Sequence, residues 1–495
     1  MNVLFATTEA VPFCKTGGLG DVCGALPRAL LNNGVRSTLI LPAFRHALES
    51  GQPIERTGVG FEIPIGRKVV SGEYLRSTLP GCDVPVYLVE QHGYYNRAEL
   101  YWENGSDYDD NCERFVFFNR AVLEAVELLD LQPQVIHCHD WQAGLIPVYL
   151  KTMLADSPAH RGIASLYTIH NLAYQGNFWH WDMELTGLGW EHFNWQELEF
   201  YGQLNFMKSA LVFSDMISTV SPSYAQEIQS PPLSCGLEGI LSHRRDDLVG
   251  LLNGADYSAW NPEIDPHIAQ NYSADNFQEG KAACRRALQE EMGLPVRDDV
   301  PLLASVGRMA DQKGFDLIAE LLPRLASQIE AQWVLLGTGD QHYEQLLERI
   351  AREHPEKVAV RIGFSNELAH RIEAGADMFL MPSRYEPCGL NQLYSLKYGA
   401  APIVRETGGL ADTVTNASES ALMNGMANGF SFSDASSYAL SMAIDRACRA
   451  YAQPELWRRL IETGMRQDWS WDRSAQGYVE LYQRTVEKAA APAVA

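Results

Sequence analysis

Two cations in the second half of the chain are the residues best suited to chemistry. Arg308 and Lys313 flank a turn that follows the apolar run Pro301–Gly307 and precedes the helical pattern Phe315–Leu325. Cations at a strand end beside a helix N-terminus are suited to hold phosphate groups and to stabilise charge on a departing phosphate. We therefore predict a phosphate clamp at this turn, in preference to a solvated loop.

A carboxylate follows a second apolar run, Met378–Met381, in the stretch Pro382-Ser383-Arg384-Tyr385-Glu386-Pro387-Cys388-Gly389-Leu390. Glu386 is placed to accept hydrogen bonds from sugar or ribose hydroxyls, and a surface or capping role is the alternative. The turn at Gly389 leads into a helix whose amides could bind phosphate. Cys388 suggests a thiol nucleophile, but no activating His or Asn lies nearby in sequence.

A six-residue pattern occurs near both ends of the chain, as Thr16-Gly17-Gly18-Leu19-Gly20-Asp21 and as Thr407-Gly408-Gly409-Leu410-Ala411-Asp412. Paired glycines between a strand and a helix let the backbone approach a ligand, and the helix N-terminus offers amides to an anion. Lys15 precedes the first copy, and a tight turn with a solvent-facing lysine is the alternative interpretation there. Glu406 precedes the second copy, so we expect only its glycine amides near a diphosphate.

Histidines and a carboxylate end two further apolar runs. In His137-Cys138-His139-Asp140-Trp141, the two histidines are predicted to point to the same side of a strand, and Asp140 to begin a helix. A zinc or iron site is possible, but no further ligand cluster is apparent. We favour helix capping and substrate hydrogen bonding by Asp140. His170 ends the run Tyr167-Thr168-Ile169 and is either a core histidine or a site residue.

Alternating apolar and helical patterns position these residues, which is typical of parallel sheets wrapped by helices. The first half contains the strand patterns Val3–Ala6, Ser37–Leu41, Val135–Cys138, Ser165–Ile169 and Met216–Val220, and the helical patterns Leu19–Asn32, Asn111–Leu129 and Trp141–Leu154. Residues 51–94 resemble antiparallel hairpins at a sheet edge. The second half adds the strand patterns Trp333–Gly337, Val358–Ile362 and Ala401–Val404, and the helical patterns Ser436–Tyr451 and Glu455–Gly464.

These patterns predict an α/β fold with two doubly wound, Rossmann-like domains that face a deep cleft at the carboxyl ends of both sheets. The predicted N-terminal domain is 1–253 and the predicted C-terminal domain is 254–468. Residues 469–488 are predicted to form a helix that crosses back to the first domain, and residues 489–495 a disordered tail.

Composition limits the class of protein. The chain has 495 residues, of which 46% are hydrophobic and 20% charged, as expected for globular domains. Its net charge of −23 argues against nucleic-acid binding. No apolar run approaches the ~18 residues of a membrane span, and the N-terminus lacks the basic region of a signal peptide. The nine scattered cysteines fit reduced thiols, so we predict a cytoplasmic enzyme.

Taken in order, the motifs resemble those of bacterial glycogen synthases, the ADP-glucose-dependent branch close to plant starch synthases. The matching stretches cover the chain to about residue 485 and are Lys15–Val22, His139–Trp141, Thr168–Gly176, Leu252-Asn253-Gly254, Arg308 with Gln312-Lys313-Gly314, Ser383–Leu390 and Thr407–Thr413. The combination is far more specific than any one motif.

The resemblance implies a glycosyltransferase of the GT-B type that needs neither metal nor cofactor. It implies transfer of glucose from ADP-glucose to the non-reducing end of an α-1,4-glucan such as glycogen, with retention of configuration. By position, Asp140 and His170 would hold the glucosyl unit, and Arg308, Lys313 and Glu386 would act at the diphosphate and the sugar. The substrate-binding residues would be Lys15, Gly17, Gly18, Asn253, Cys388, Gly389, Leu390, Thr407, Gly408 and Gly409.

One position departs from the wider class. Many retaining GT-B enzymes have a second Glu eight residues after the first, where this chain has Tyr394. Asp140 and Glu386 are then the candidate nucleophiles for a double displacement, but the resemblance implies front-face substitution, and we adopt that as the hypothesis. Three other functions stay open: a UDP-glucose-dependent or other-acceptor transferase, a metal-dependent hydrolase built on His137, His139 and Asp140, and an inactive glycan-binding protein.

Overall fold

The computed structural model describes residues 1–491 and divides the chain into two compact units. Unit 1 contains residues 1–220 and 225–254 together with the segment that begins at Trp471. Unit 2 contains residues 221–224 and 255–470. The chain thus leaves the first unit near Gly254 and returns to it at Trp471.

The strands, in chain order, are β1 Asn2–Ala6, β2 Arg36–Pro42, β3 Glu55–Ile65, β4 Lys68–Thr78, β5 Pro85–Glu90, β6 Trp102–Glu103, β7 Ser106–Asp107, β8 Val135–His139, β9 Ala164–Ile169, β10 Asn177–Phe178, β11 Glu199–Phe200, β12 Gln203–Asn205, β13 Met216–Thr219, β14 Leu248–Gly250, β15 Leu302–Val306, β16 Gln332–Gly337, β17 Val358–Ile362, β18 Met378–Met381, β19 Ala401–Arg405 and β20 Phe430–Phe432.

The helices are α1 Gly18–Asn32, α2 Arg45–Leu48, α3 His92–Tyr95, α4 Asn111–Leu128, α5 Ile146–Lys151, α6 Met183–Thr186, α7 Phe206–Phe213, α8 Pro222–Glu227, α9 Glu238–His243, α10 Phe277–Glu291, α11 Phe315–Gln328, α12 Gln341–Glu353, α13 Asn366–Gly375, α14 Asn391–Tyr398, α15 Gly408–Thr413, α16 Glu419–Met423, α17 Ser437–Tyr451, α18 Pro454–Met465 and α19 Trp471–Ala490. Short 3-10 turns occur at Trp141–Ala143, His180–Asp182, Trp190–His192 and Asp311–Lys313.

The main sheet of unit 1 has nine strands in the order β14-β13-β9-β8-β1-β2-β5-β4-β3. The strands from β14 to β5 are parallel, and β4 pairs antiparallel with both β5 and β3. The antiparallel edge lies in the residues for which the sequence predicts hairpins, so that prediction is confirmed. Strands β9, β8 and β1 are adjacent in the middle of this sheet. The loops that follow them therefore lie side by side.

The sheet of unit 2 has six parallel strands in the order β17-β16-β15-β18-β19-β20. Successive residues of one strand enter different apolar clusters: Leu303 packs in one and Ala304 in the other. Both faces of the sheet are therefore covered, which explains why its strands are continuous apolar runs in the sequence. The sequence analysis missed β20, which is only three residues long.

One predicted helix is wrong. The pattern Trp141–Leu154 forms a 3-10 turn followed by the short α5 instead of a continuous helix. The side chain of Asn119 on α4 accepts hydrogen bonds from the amides of Leu145 and Ile146, which fixes a new helix start there. At Gly144 a Cβ would lie 2.3 Å from the carbonyl oxygen of Phe206, so tertiary packing determines this break.

The last helix, α19, packs against α1, β8 and β9 within unit 1. Leu481 and Tyr482 on this helix are buried. The helix continues through Ala490, two residues into the predicted disordered tail, because alanine is the strongest helix former. The rest of that prediction falls on residues 492–495, which lie outside the described residues. Within residues 1–491, no helix is long and apolar enough to cross a membrane.

Candidate functional site

Unit 1 brings two of the predicted site residues into direct contact. Asp140 follows β8, His170 follows the adjacent β9, and an Asp140 carboxylate oxygen accepts a hydrogen bond from the His170 amide at 2.8 Å. The Asp140 amide donates in turn to the carbonyl oxygen of Thr168 at 3.0 Å. These bonds tie the ends of two neighbouring strands into one rigid group at the carboxyl edge of the sheet.

The predicted capping role of Asp140 is wrong. Its side chain makes no capping hydrogen bond to the following 3-10 turn, because the carboxylate is turned towards the backbone at His170. Its backbone has φ 53° and ψ −177°, a conformation that side-chain-bearing residues rarely adopt. Such strain persists only where the surrounding structure imposes it, and it occurs often at functional sites.

Burial dominates the electrostatics of this group. It raises the pKa of Asp140 to about 7, although backbone hydrogen bonds at His170 and Asn171 act in the opposite direction. Burial also lowers the pKa of His170 to about 3 and holds the pKa of His139 well below its usual range. The histidines are therefore neutral at physiological pH, and His170 acts through a hydrogen bond and not through a positive charge.

His137 and His139 point to the same side of β8, as predicted, with ring centroids 4.0 Å apart. His137 is not available as a metal ligand. Its Nδ1 lies 2.9 Å from the hydroxyl of Tyr482, and its Nε2 lies 2.6 Å from the hydroxyl of Thr168. Across residues 1–491, no group of three or more potential ligand side chains could hold a metal ion.

The first glycine pair differs from its predicted role as a phosphate cradle. The carboxylate of the buried Glu9 accepts hydrogen bonds from the Thr16 amide at 2.6 Å and the Gly17 amide at 3.2 Å. It also accepts a bond from the Thr16 hydroxyl at 2.6 Å. The Gly17 amide therefore already donates its hydrogen bond to a carboxylate of the protein itself. A Cβ at Gly18 would meet no atom of residues 1–491 within 4 Å, so the open approach that the motif predicts belongs to Gly18.

The remaining predicted residues of unit 1 lie near the ends of strands β1 and β14. Lys15 forms an ion pair with Asp21 at 2.7 Å, and 45% of its side chain is exposed. Asn253, three residues after β14, is buried, and its side-chain oxygen has no hydrogen-bond partner within residues 1–491. Because β14 is the outer strand, Asn253 follows a strand that is not adjacent to β8 or β9.

Unit 2 brings Lys313 and Glu386 together, although 73 residues separate them. The Lys313 ammonium donates to both carboxylate oxygens of Glu386 at 2.9 and 2.7 Å. The hydroxyl of Ser383 donates to the same carboxylate at 3.0 Å. Only 7% of the Glu386 side chain is exposed, compared with 29% for Lys313, so the cation forms the open side of the pair.

Arg308 lies on the surface, five residues before Lys313 in the sequence. Its guanidinium donates to the Gln312 side chain at 2.6 Å, and the residue is exposed. Strands β15 and β18, which lead into Arg308 and Glu386, are neighbours in the sheet. Arg308 and Lys313 together are suited to an anionic ligand, in a chain whose net charge is −23.

The second glycine pair supports the loop that carries Glu386 and does not lend both amides to a diphosphate. The Gly409 amide donates to the carbonyl oxygens of Glu386 and Pro387, both at 3.2 Å. A Cβ on Gly408 would lie 2.0 Å from the Glu386 carbonyl oxygen, and one on Gly409 would lie 2.0 Å from that of Cys388. The prediction of free amides at Gly409 is wrong, because two backbones meet there.

The other predicted residues of unit 2 lie in the same loop, except Thr407, which directly precedes α15. Cys388 and Thr407 are buried, Gly389 is left-handed with φ 73°, and Leu390 directly precedes α14. Tyr394, at the position of the missing second Glu, stacks on Trp260 with ring centroids 4.1 Å apart. That position therefore contributes packing, and Glu386 is the carboxylate that binds Lys313.

Two residues of interest escaped the sequence analysis. Glu9 is an isolated carboxylate in an apolar stretch, and no local pattern relates it to Thr16 and Gly17. Phe364 follows β17 and is 90% exposed, at the same carboxyl edge of the sheet as Arg308 and Lys313. A large apolar side chain placed after a strand, where ligands bind in such sheets, was the signal that could have indicated it.

Comparison with known proteins decides the family. The family model described as Starch synthase catalytic domain matches residues 2–243, and Glycosyl transferases group 1 matches residues 290–467. A glycogen synthase from Rhodopirellula baltica is 47% identical, with 98% of each chain covered. One from Anaeromyxobacter dehalogenans is 48% identical over 98% of this chain and 99% of its own. The chain belongs to the starch and glycogen synthase family.

Solved structures agree with this membership. The catalytic domain of starch synthase IV from Arabidopsis thaliana, bound to ADP and acarbose, is 31% identical with a TM-score of 0.88 and covers 98% of this chain and 99% of its own. A sucrose-phosphate synthase from Thermosynechococcus elongatus is 16% identical with a TM-score of 0.58, which indicates a shared fold alone. The predicted family, the two-domain Rossmann-like fold and the enzyme class of retaining glycosyltransferase are therefore confirmed.

Proposed function

We propose that this chain elongates glycogen by transferring glucose from ADP-glucose to the non-reducing end of an α-1,4-glucan, with retention of configuration. The observation that carries the proposal is a pair of cations after strand β15 of unit 2, where Lys313 is held by the buried Glu386 and Arg308 is exposed. The starch synthase relative is described with ADP bound, which favours an adenine nucleotide as the leaving group.

Charge neutralisation is the catalytic contribution that we assign to Arg308 and Lys313. Departure of ADP leaves negative charge on the diphosphate, and cations fixed in advance stabilise that charge more in the transition state than in the ground state. Glu386 fixes the Lys313 ammonium by accepting two hydrogen bonds from it. No metal or other cofactor is required by this proposal, since the protein supplies the positive charge.

In unit 1 we assign the glucosyl unit to Asp140 and His170. The carboxylate of Asp140 is held by the His170 amide, and the half-buried ring of His170 lies at the end of β9. A fixed carboxylate accepts hydrogen bonds from sugar hydroxyls, and a neutral imidazole can donate one. Lys15 and Gly18 at the neighbouring loop after β1 are proposed to contact the same ligand.

The hydrogen bonding of the two candidate nucleophiles supports front-face substitution. Glu386 accepts bonds from Lys313 and Ser383, and Asp140 accepts one from the His170 amide, so both carboxylates are engaged. In the proposed step the bond from C1 to the phosphate oxygen breaks, with its electron pair leaving on ADP. The acceptor hydroxyl oxygen bonds to C1 on the same face, and its proton passes to the departing phosphate.

The donor assignment is tested by comparing turnover with ADP-glucose and UDP-glucose on a glycogen primer. We expect kcat/KM to be higher with ADP-glucose. Equal or higher values with UDP-glucose would overturn the donor assignment while leaving a glucosyltransferase. Release of free glucose without chain elongation would contradict the acceptor assignment.

The charge clamp is tested by Arg308→Ala and Lys313→Ala. We expect each to lower kcat by about a hundredfold to a thousandfold, the range lost when a single transition-state donor is removed. Lys357→Ala is the matched control, because Lys357 forms a comparable ion pair with Glu330 at the surface of unit 2. Near-normal kcat in both test variants would refute the clamp.

A further inference from the structure

Among the described residues, the ring of His139 makes a single hydrogen bond, and its partner is His170. The Nδ1 of His139 lies 3.0 Å from the Nε2 of His170. The Nε2 of His139 is buried and has no hydrogen-bond partner within residues 1–491. One proton lies between the two bonded nitrogens when both rings are neutral, so one ring donates and the other accepts.

The unpartnered nitrogen determines which ring donates. If His170 were the donor, the proton of His139 would have to lie on its Nε2, as a buried N–H without an acceptor. Buried backbone N–H groups without a partner are rarer in folded proteins than buried backbone acceptors without one, and we apply the same preference to this ring. If His139 donates from Nδ1, its Nε2 is unprotonated and no N–H is left unpaired. The Nε2 of His170 is then the acceptor, and the proton of His170 lies on Nδ1.

We infer that His139 is a positioning residue that holds His170 in the tautomer protonated at Nδ1, so that His170 presents a hydrogen-bond donor to a hydroxyl of the bound sugar. The sugar in this statement rests on the proposed function, whereas the tautomer does not. Both rings are neutral at physiological pH, because burial lowers the pKa of each.

The surroundings of His139 keep this arrangement in place. Its ring stacks on Phe5 of β1, with centroids 5.4 Å apart, and contacts the ring of His137 at 4.0 Å. His137 is itself fixed by Tyr482 of α19 and by Thr168 of β9. Three strands and the C-terminal helix of unit 1 therefore restrain one imidazole, and its position limits the free nitrogen of His170 to the role of donor.

The tautomer is measured directly on the full-length protein labelled with ¹⁵N-histidine. Long-range ¹H–¹⁵N correlation spectra distinguish protonated from unprotonated ring nitrogens, and His170→Asn identifies the signals of His170 by their loss. We expect His170 to be protonated at Nδ1 and His139 to be protonated at Nδ1. A proton on the Nε2 of His170 would overturn the inference, whatever the donor assay shows.

Two substitutions separate positioning from packing. His139→Asn retains an amide donor near the Nδ1 position, whereas His139→Leu removes it. We expect His139→Leu to lower kcat about tenfold, the equivalent of one hydrogen bond, with little change in the KM for ADP-glucose. We expect His139→Asn to retain most of the kcat of the unmodified protein. The control is His160→Leu, which alters a buried histidine bonded to Ser157 and Leu123.

Folding of each variant is checked by its thermal unfolding. Equal kcat losses in folded His139→Asn and His139→Leu would contradict the inference, because a donor would then be irrelevant. If neither variant folds, the spectra of the unmodified protein still decide the tautomer. If the unmodified protein shows no preference for ADP-glucose over UDP-glucose while its spectra show the expected protons, the proposed function is refuted and the tautomer assignment stands.

Discussion

Asp140 is a buried carboxylate in a strained backbone conformation, and both features cost free energy of folding. Its φ of 53° belongs to the left-handed side of the Ramachandran map, and burial raises its pKa to about 7. Backbone strain of this kind occurs often at functional sites. Its contact with the His170 amide at the end of β9 is consistent with a role in holding substrate.

The burial of Asp140 predicts a particular dependence of stability on pH. Because its pKa in the folded state is above the ordinary 3.8, folding loses stability as the pH rises from about 4 through about 7. Asp140→Asn removes this effect. The free energy of unfolding of Asp140→Asn minus that of the unmodified protein should increase across this interval and level off above it. The increase should be on the order of 1.4 kcal/mol for each unit by which folding raises the pKa of Asp140.

Chemical denaturation between pH 4 and pH 8 measures this difference. Asp246→Asn is the control, because the Asp246 side chain is 93% exposed. Parallel stability curves for Asp140→Asn and the unmodified protein would show that the Asp140 carboxyl is not perturbed by burial.

Phe364 gives a second prediction at this scale. Its ring is 90% exposed at the carboxyl edge of the unit 2 sheet, where it can stack on a base. Stacking of a base on an aromatic side chain contributes about 1–3 kcal/mol, so Phe364→Ala should raise the KM for ADP-glucose about tenfold or more with a smaller effect on kcat. Steady-state kinetics measure this change. Tyr438→Ala, at another exposed aromatic, should leave both constants unaltered, and an unchanged KM in Phe364→Ala would exclude stacking.

At the scale of elements, the two copies of the Thr-Gly-Gly pattern have different roles in similar surroundings. Each copy lies between a parallel strand and a helix, β1 and α1 in one unit and β19 and α15 in the other. In the first copy, Gly18 faces open space. In the second copy, Gly409 is packed against the backbone of Cys388, so glycine is required by contact between two loops.

Matched substitutions at these equivalent positions should therefore have opposite effects. Gly409→Ala places a Cβ 2.0 Å from the Cys388 carbonyl oxygen and should lower the free energy of unfolding by about 1–3 kcal/mol, the usual effect of overpacking. Gly18→Ala should leave stability nearly unchanged and lower kcat/KM, because a methyl group would obstruct an approaching ligand. Thermal unfolding measures the stability of the two variants, and steady-state kinetics measure their kcat/KM. Equal destabilisation of both variants would contradict the different roles of Gly18 and Gly409.

At the scale of the whole molecule, the chain completes its first unit with its last helix. Helix α19 belongs to unit 1, and Tyr482 on it binds His137, which is 345 residues away in sequence. The buried side chains of α19 cover β8 and β9, the strands that precede Asp140 and His170. The stability of the site in unit 1 therefore depends on the C-terminal end of the described chain.

Leu481→Ala tests this dependence. Leu481 is 2% exposed on α19, and replacement of a buried leucine by alanine costs about 2–5 kcal/mol. We expect unit 1 to unfold at a lower temperature in a calorimetric scan, with reduced activity at temperatures below that transition. Leu128→Ala, at a leucine of unit 1 that is 44% exposed, is the control. Equal transition temperatures for the two variants would show that α19 contributes little to the unit.

The residue patterns are sufficient to predict the central strands along the chain and the loops that carry the candidate site. Strands β17 and β18 have the predicted bounds, and β1 and β15 differ from prediction by one or two residues. The physical reason is that a parallel strand covered on both faces must be apolar throughout, so each strand and the polar residue that ends it are evident locally. Arg308, Lys313, Asp140 and His170 were found in this way.

The contacts that these residues make are evident from the folded chain alone. Glu386 lies 73 residues from Lys313, and Glu9 binds the amides of Thr16 and Gly17 across a loop of the chain. Asp140 was predicted to cap a helix, whereas it binds the end of the neighbouring strand. Hydrogen-bond partners of this kind depend on the register and spacing of strands that are distant in sequence, and no local pattern of residue types contains that geometry.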